Sequence, residues 1–225
     1  MGPAASVRLY KLIVELSQKK YKAEQDTDFP PVFLYSLALE GFDEKGFVDP
    51  DLIKKQLIAG VKKIESSGVD FIIIACNTVH FFYKEMQSSV KVPILSIVEE
   101  TARAVQRKKM RSIGLLCSES TRLLGMYQKT FAKYGIKIIT ASDEEQLKIN
   151  EVVLHVMSGH QDRKDKIILK KNMRSLCKKG AQGIVLGCTE LPLAINQTDT
   201  KTFLFDSLAI LAQSALSYAY SKHKN

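Results

Sequence analysis

Phe71-Ile-Ile-Ile-Ala-Cys-Asn-Thr78 and Gly183-Ile-Val-Leu-Gly-Cys-Thr-Glu190 are two short apolar runs, each closed by a cysteine and then by small polar residues. A run of four or five apolar residues is strand-length, and the polar residues after it are of the type that opens a helix. Further runs of strand type fall at 32–39, 94–97, 112–117, 137–140 and 202–205, beside 71–75 and 184–187. Between them, helical apolar spacing predicts helices at 6–20, 51–67, 99–108, 120–134, 144–158, 164–179 and 207–223. Gly68, Gly135 and Gly180 each follow a helical stretch, where a left-handed C-terminal cap favours glycine. Short apolar strands alternating with amphipathic helices predict an α/β fold with mostly parallel sheet.

No low-complexity linker divides the chain. Cys76 and Cys188 stand about half the chain apart, so a division near 97–100 gives each lobe one cysteine. The expected lobes are 1–98 together with 207–225, whose helix crosses back, and 99–206. Open α/β sheets bind ligands beyond the carboxyl ends of their strands, where both cysteines sit. Backbone N–H groups of a helix opening at Asn77-Thr78 or Thr189-Glu190 predict a lowered thiol pKa, suited to a base at neutral pH. Two facing thiols can remove a proton from one side of a carbon and return it to the other. A lone cysteine at a strand end would read as a small buried hydrophobe; its repetition is what favours chemistry.

At 225 residues and 45% apolar, the chain can bury a sizeable core. The formal charge of +9 is carried partly by Arg107-Lys-Lys-Met-Arg111 and Arg163-Lys-Asp-Lys166. Both lie on helical segments and read as solvated faces. A nucleic-acid partner is not expected, since there is no tryptophan and most Phe and Tyr fall within apolar runs. A basic surface draws in acidic small molecules. Four irregularly spaced cysteines do not make a disulfide scaffold, and no Cys-x-x-Cys or His-x-x-x-His spacing suggests a metal. The expectation is a reducing, cytoplasmic setting, with no leader segment and no membrane span.

Ala75-Cys-Asn-Thr-Val-His80 and Leu186-Gly-Cys-Thr-Glu-Leu-Pro192 resemble the two signature motifs of the aspartate/glutamate racemase family. Met1-Gly-Pro-Ala-Ala-Ser6 is similar to the end of that family's N-terminal glycine-rich loop, and Gly114-Leu-Leu-Cys-Ser-Glu-Ser-Thr121 to its mid-chain substrate loop. The resemblance implies two pseudo-symmetric α/β lobes, a homodimer, no cofactor, and a small amino acid as substrate. It assigns Cys76 and Cys188 as the acid/base pair. Met1, Asn77, Thr78, Ser118, Thr121, Thr189 and Glu190 would bind substrate. The Cys-Thr-Glu form points to the aspartate branch, with glutamate the second substrate. The same scaffold also serves hydantoin racemases, decarboxylases, maleate isomerases and catalytically silent binding proteins; retention of both cysteines argues against single-cysteine decarboxylases.

The chain departs from the pattern in three places. It starts inside the glycine-rich loop, without the family's first strand, which predicts an open sheet edge or core face. The segment Tyr35-Ser-Leu-Ala-Leu-Glu-Gly-Phe42 lacks an arginine found in many aspartate racemases, and Met157-Ser158 stands where a lysine is common. A second carboxylate wants a cation or several donors, for which His160, Arg163, Lys164 and Lys166 are candidates. His80, one turn beyond Cys76, can tune the thiol or serve in packing. Cys117 and Cys177 lack the repeated context and are expected to be buried without chemistry.

Overall fold

The structure, a computed structural model, describes residues 2–43 and 46–222. In chain order the elements are α1 (Pro3–Tyr21), β1 (Phe42–Asp43), β2 (Gly46–Phe47), α2 (Pro50–Glu65), β3 (Ile72–Ile73), a 3-10 turn (Thr78–Phe82), α3 (Tyr83–Ser88), β4 (Ile94–Leu95), α4 (Ile97–Arg107) and β5 (Ser112–Leu116). They continue with α5 (Glu119–Leu124), α6 (Met126–Ala132), β6 (Lys137–Thr140), α7 (Asp143–Ser158), α8 (Arg163–Lys178), β7 (Ile184–Leu186), α9 (Leu191–Ala194), β8 (Leu204–Asp206) and α10 (Ser207–Lys222).

The expected α/β class is what forms. Strands run in the order β6-β5-β7-β8 in a parallel sheet, and β3 pairs in parallel with β4. Continuous apolar runs such as Ile184-Val-Leu186 suit a sheet covered on both faces, and these three residues are buried. Alternation along each strand divides the side chains between two layers. Ile113, Leu115, Cys117, Val185 and Phe205 pack with α1, α4, α6 and α10, whereas Leu116, Ile184, Leu186 and Cys188 pack with α7 and α8. A third cluster joins Ile53, Leu57 and Val61 of α2 to Ile72, Ile94 and Met86 around the smaller sheet. Helix α10 packs on α1 and α4, and Tyr220 stacks on Tyr21 with ring centroids 4.0 Å apart.

Two expectations are corrected. Residues 32–39 run without forming a strand, although their sequence is of strand type. A strand needs a neighbour within about 5 Å to exchange backbone hydrogen bonds. Here an apolar cavity of about 110 Å³ lies between Val32, Leu34 and Leu37 on one side and Ile73, Ile74 and Ala75 on the other. A second cavity, of about 300 Å³, continues from Pro30 and Phe33 toward Val69 and Ala215. The helix expected over 120–134 is broken at Gly125, whose φ of 63° ends α5 and starts α6.

Candidate active site

Both cysteines follow parallel strands and precede short helical turns. After β3, the Cys76 N–H donates to Ile74 O at 2.9 Å, and the 3-10 turn starts at Thr78. After β7, Glu190 is the residue from which α9 begins. Both helix openings expected from the sequence are found, though each is brief.

Glu190 ties the two together. The Cys188 thiol donates to Oε2 of Glu190 at 3.0 Å, and the Thr189 hydroxyl donates to the same oxygen at 2.9 Å. The negative carboxylate also bears on Cys76, whose thiol it helps to keep protonated. Glu190 is only 7% exposed. Its other oxygen lies so close to Gly2 that a side chain at that position would overlap it. A larger residue than glycine would have to displace the carboxylate.

The expected lowering of the thiol pKa is not what the structure produces at Cys76. The residue as a whole is half-buried, but its sulfur is desolvated, and burial pushes the thiol up to about 11. Backbone N–H groups of Val79 and Thr78 pull in the opposite direction and lose. Removing a thiolate from water outweighs two amide donors at the start of a single 3-10 turn.

Thr78, Ser118 and Thr121 form a hydroxyl cluster. Oγ1 of Thr78 lies 2.8 Å from Oγ1 of Thr121 and 3.4 Å from Oγ of Ser118, and the Ser118 hydroxyl donates to Thr121 at 3.1 Å. Ser118 also caps α5, accepting from the Thr121 N–H. All three are buried, so the cluster joins the Cys76 turn to the loop after β5.

Asn77 is held from both sides of its amide. Tyr127 OH donates to Oδ1 at 2.6 Å, and Nδ2 donates to Ser207 Oγ at 3.3 Å. Ser207 in turn donates to Leu186 O at 2.8 Å, two residues before Cys188. A buried chain of polar groups therefore connects the residue after Cys76 with the strand that carries Cys188. Tyr127 and Ser207 were invisible to sequence reasoning: each reads as an ordinary helical residue, and only the fold brings them to Asn77. The break at Gly125, two residues before Tyr127, was the nearest available signal.

His80 takes the packing role rather than tuning the sulfur. Its Nδ1 is 2.8 Å from Cys76 O, and Ile97 N–H donates to Nε2 at 3.3 Å, which assigns the proton to Nδ1. Burial pulls its pKa down to about 4, so the ring is neutral and joins the Cys76 turn to α4. Cys117 is buried and its thiol is pushed well above its ordinary value by desolvation, as expected of an unreactive cysteine. Cys177 is half-buried beside the Thr202 hydroxyl at 3.8 Å. Of the candidate cations, His160, Arg163 and Lys164 are exposed, and Lys166 pairs with Asp199 at 2.8 Å. Met1 lies outside the described residues.

The Asp/Glu/hydantoin racemase family profile matches residues 1–215. The chain belongs to this family. Membership places it among racemases, and so among isomerases. Relatives agree in extent as well as in kind. The broad-specificity amino-acid racemase RacX of Bacillus subtilis is 29% identical over 217 residues, 96% of this chain and 94% of its own. An aspartate racemase homologue from Pyrococcus horikoshii superposes with a TM-score of 0.81 at 28% identity, covering 97% of this chain and 95% of that one. The aspartate racemase of Picrophilus torridus, at 23% identity and a TM-score of 0.79 over 98% of this chain and 91% of its own, shares the fold. Among the described residues, no helix is long and apolar enough to cross a membrane.

Proposed function

We propose that this protein is a cofactor-independent amino-acid racemase in which Cys76 and Cys188 exchange the α-proton of aspartate, with glutamate as second substrate. The observation that carries the reading is Glu190, whose carboxylate accepts from the Cys188 thiol and acts electrostatically on Cys76. That one carboxylate acts on both thiols supports a single site containing both sulfurs. One sulfur, as thiolate, takes the α-proton while the opposite thiol gives its own to the other face of the carbon. The developing carbanion needs donors already in place, because no pyridoxal ring spreads its charge. The hydroxyls of Thr78, Ser118, Thr121 and Thr189 offer such donors to the substrate carboxylate. Asn77 serves differently from the expectation of direct binding: its amide is taken up by Tyr127 and Ser207, so it holds the Cys76 turn.

Aspartate is favoured by the Cys188-Thr-Glu190 form. A second reading, a broader substrate range, is supported by the ion pairs: Arg8 is committed to Asp206, and Arg122 to Glu119 and Asp143. A side-chain carboxylate would have to compete for either cation. The homodimer and the cytoplasmic setting belong to the same proposal, the latter supported by four cysteines that form no disulfide.

The test is racemisation in heavy water. With L-aspartate, deuterium is expected first in the D-product, and Cys76→Ser and Cys188→Ser are each expected to lower turnover by at least about a thousandfold, because a hydroxyl is a far weaker acid than a thiol. Deuterium arriving first in unreacted substrate, or either variant racemising at the original rate, rejects the two-thiol reading. A panel of neutral and basic amino acids separates the two substrate readings.

A further inference from the structure

A buried carboxylate hydrogen-bonded to a catalytic thiol is an odd choice for an enzyme that must make a thiolate. The Cys188 thiol points its proton at Glu190 Oε2 over 3.0 Å, which stabilises the protonated sulfur and opposes its loss. The Thr189 hydroxyl, at 2.9 Å, strengthens the same anion as an acceptor. Gly2, which carries no Cβ, leaves the room that the other oxygen occupies. Cys76 meets the same negative charge on top of its desolvation. Tyr127, another titratable group on which Cys188 acts, is buried and neutral, with its hydroxyl given to Asn77. The carboxylate thus opposes ionisation of the Cys188 thiol through a hydrogen bond and of the Cys76 thiol through its charge, against the pull of the Thr78 and Val79 N–H groups and the N-terminal charge on Cys76.

We infer that Glu190 locks both thiols in the protonated state, and that the α-ammonium of the incoming substrate releases the lock by pairing with its carboxylate. The inference rests on the racemase reading and deepens it by giving Glu190 a second role. The proton balance is simple. The substrate enters as a zwitterion and keeps all three ammonium protons; its charge cancels that of Glu190, and one thiol then loses its proton to bulk water. The site changes from two thiols and a carboxylate to one thiolate, one thiol and an ammonium-carboxylate pair. A reactive sulfur anion exists only while substrate covers it. Molecules that lack the ammonium fail to create the base even if they fit.

The pH dependence of iodoacetamide alkylation, read at each cysteine by mass spectrometry, tests this without turnover, since the rate follows the thiolate alone. Cys76→Ser and Cys188→Ser assign the signal to one sulfur or the other. In the wild-type empty enzyme the midpoint should lie above that of a free cysteine. Glu190→Gln, which keeps shape and removes charge, should lower it by about one pH unit or more. Glycine, carrying both ammonium and carboxylate, should lower the wild-type midpoint by a similar amount and do nothing further in Glu190→Gln. Glycolate, which has no ammonium, should leave it in place. An unchanged midpoint in Glu190→Gln overturns the lock, and equal effects of glycine and glycolate on the wild type overturn the release. Heavy-water exchange at the α-carbon reports separately on the racemase reading: a midpoint that shifts in an enzyme with no exchange activity keeps the lock and rejects the reaction, and the converse keeps the reaction alone.

Discussion

The hydroxyl of Tyr127 donates to Oδ1 of Asn77 at 2.6 Å, across 50 residues of sequence and inside a region from which water is excluded. The bond fixes the residue that follows Cys76 and, through Ser207, ties it to the strand ending before Cys188. Tyr127→Phe removes the donor and leaves a buried amide oxygen short of a partner. The expected loss is about 1–3 kcal/mol in urea unfolding. Turnover should fall more than apparent substrate affinity, because Asn77 positions the Cys76 turn without holding substrate. Ser207→Ala should produce the same split between kcat and KM.

Thr78→Val separates the hydroxyl cluster from the Cys76 turn. Ser118 and Thr121 keep their mutual bond at 3.1 Å, so the fold should lose only about 1 kcal/mol. If the cluster receives the substrate carboxylate, KM should rise more than tenfold. Steady-state racemisation at varied aspartate concentration measures it.

His80 should give the protein an acid-sensitive limb. Its folded pKa of about 4 lies below the ordinary 6.5, so unfolding binds protons in that interval. Stability from this group is fully present above pH 6.5 and falls as the pH drops toward 4. The denaturation midpoint, followed across that range, should decline in the wild type. In His80→Gln the starting stability should be lower and the slope shallower.

Gly187, immediately before Cys188, has no room for a methyl group. A Cβ there would stand 2.7 Å from a Leu115 methyl and 3.3 Å from the Tyr127 ring. Gly187→Ala should therefore cost about 1–3 kcal/mol by overpacking. Because Tyr127 is one of the atoms displaced, activity should drop with it. Thermal melting and turnover on the same preparation test both effects.

Much of this was readable in the sequence because the decisive interactions are local. The runs that became β5, β6 and β7 announce themselves by length and apolarity, and their flanking helices by spacing. The paired cysteines stood out through their shared context. Residues 32–39 misled because strand propensity describes a side-chain pattern, whereas a strand also needs a partner, and the neighbouring backbone lies across a cavity. The thiol pKa was read in the wrong direction for a related reason. Helix-opening N–H groups are visible near Cys76 in the sequence, but the desolvation that overrides them is contributed by distant parts of the chain. Tyr127 and Ser207 share this origin, since two side chains far apart in the sequence meet at one amide.

The stretch from Val32 to Leu39, outside any sheet, gives the molecule an uneven resistance to opening. Its amide hydrogens lack the ladder that shelters those of Leu115 and Val185, so small local fluctuations suffice to trade them with solvent. Interior strand amides must wait for a far rarer, wholesale loss of structure. A protease that samples brief fluctuations would accordingly find its first foothold beside the two cavities, well before the cysteine-bearing strand β7 lost its pairing.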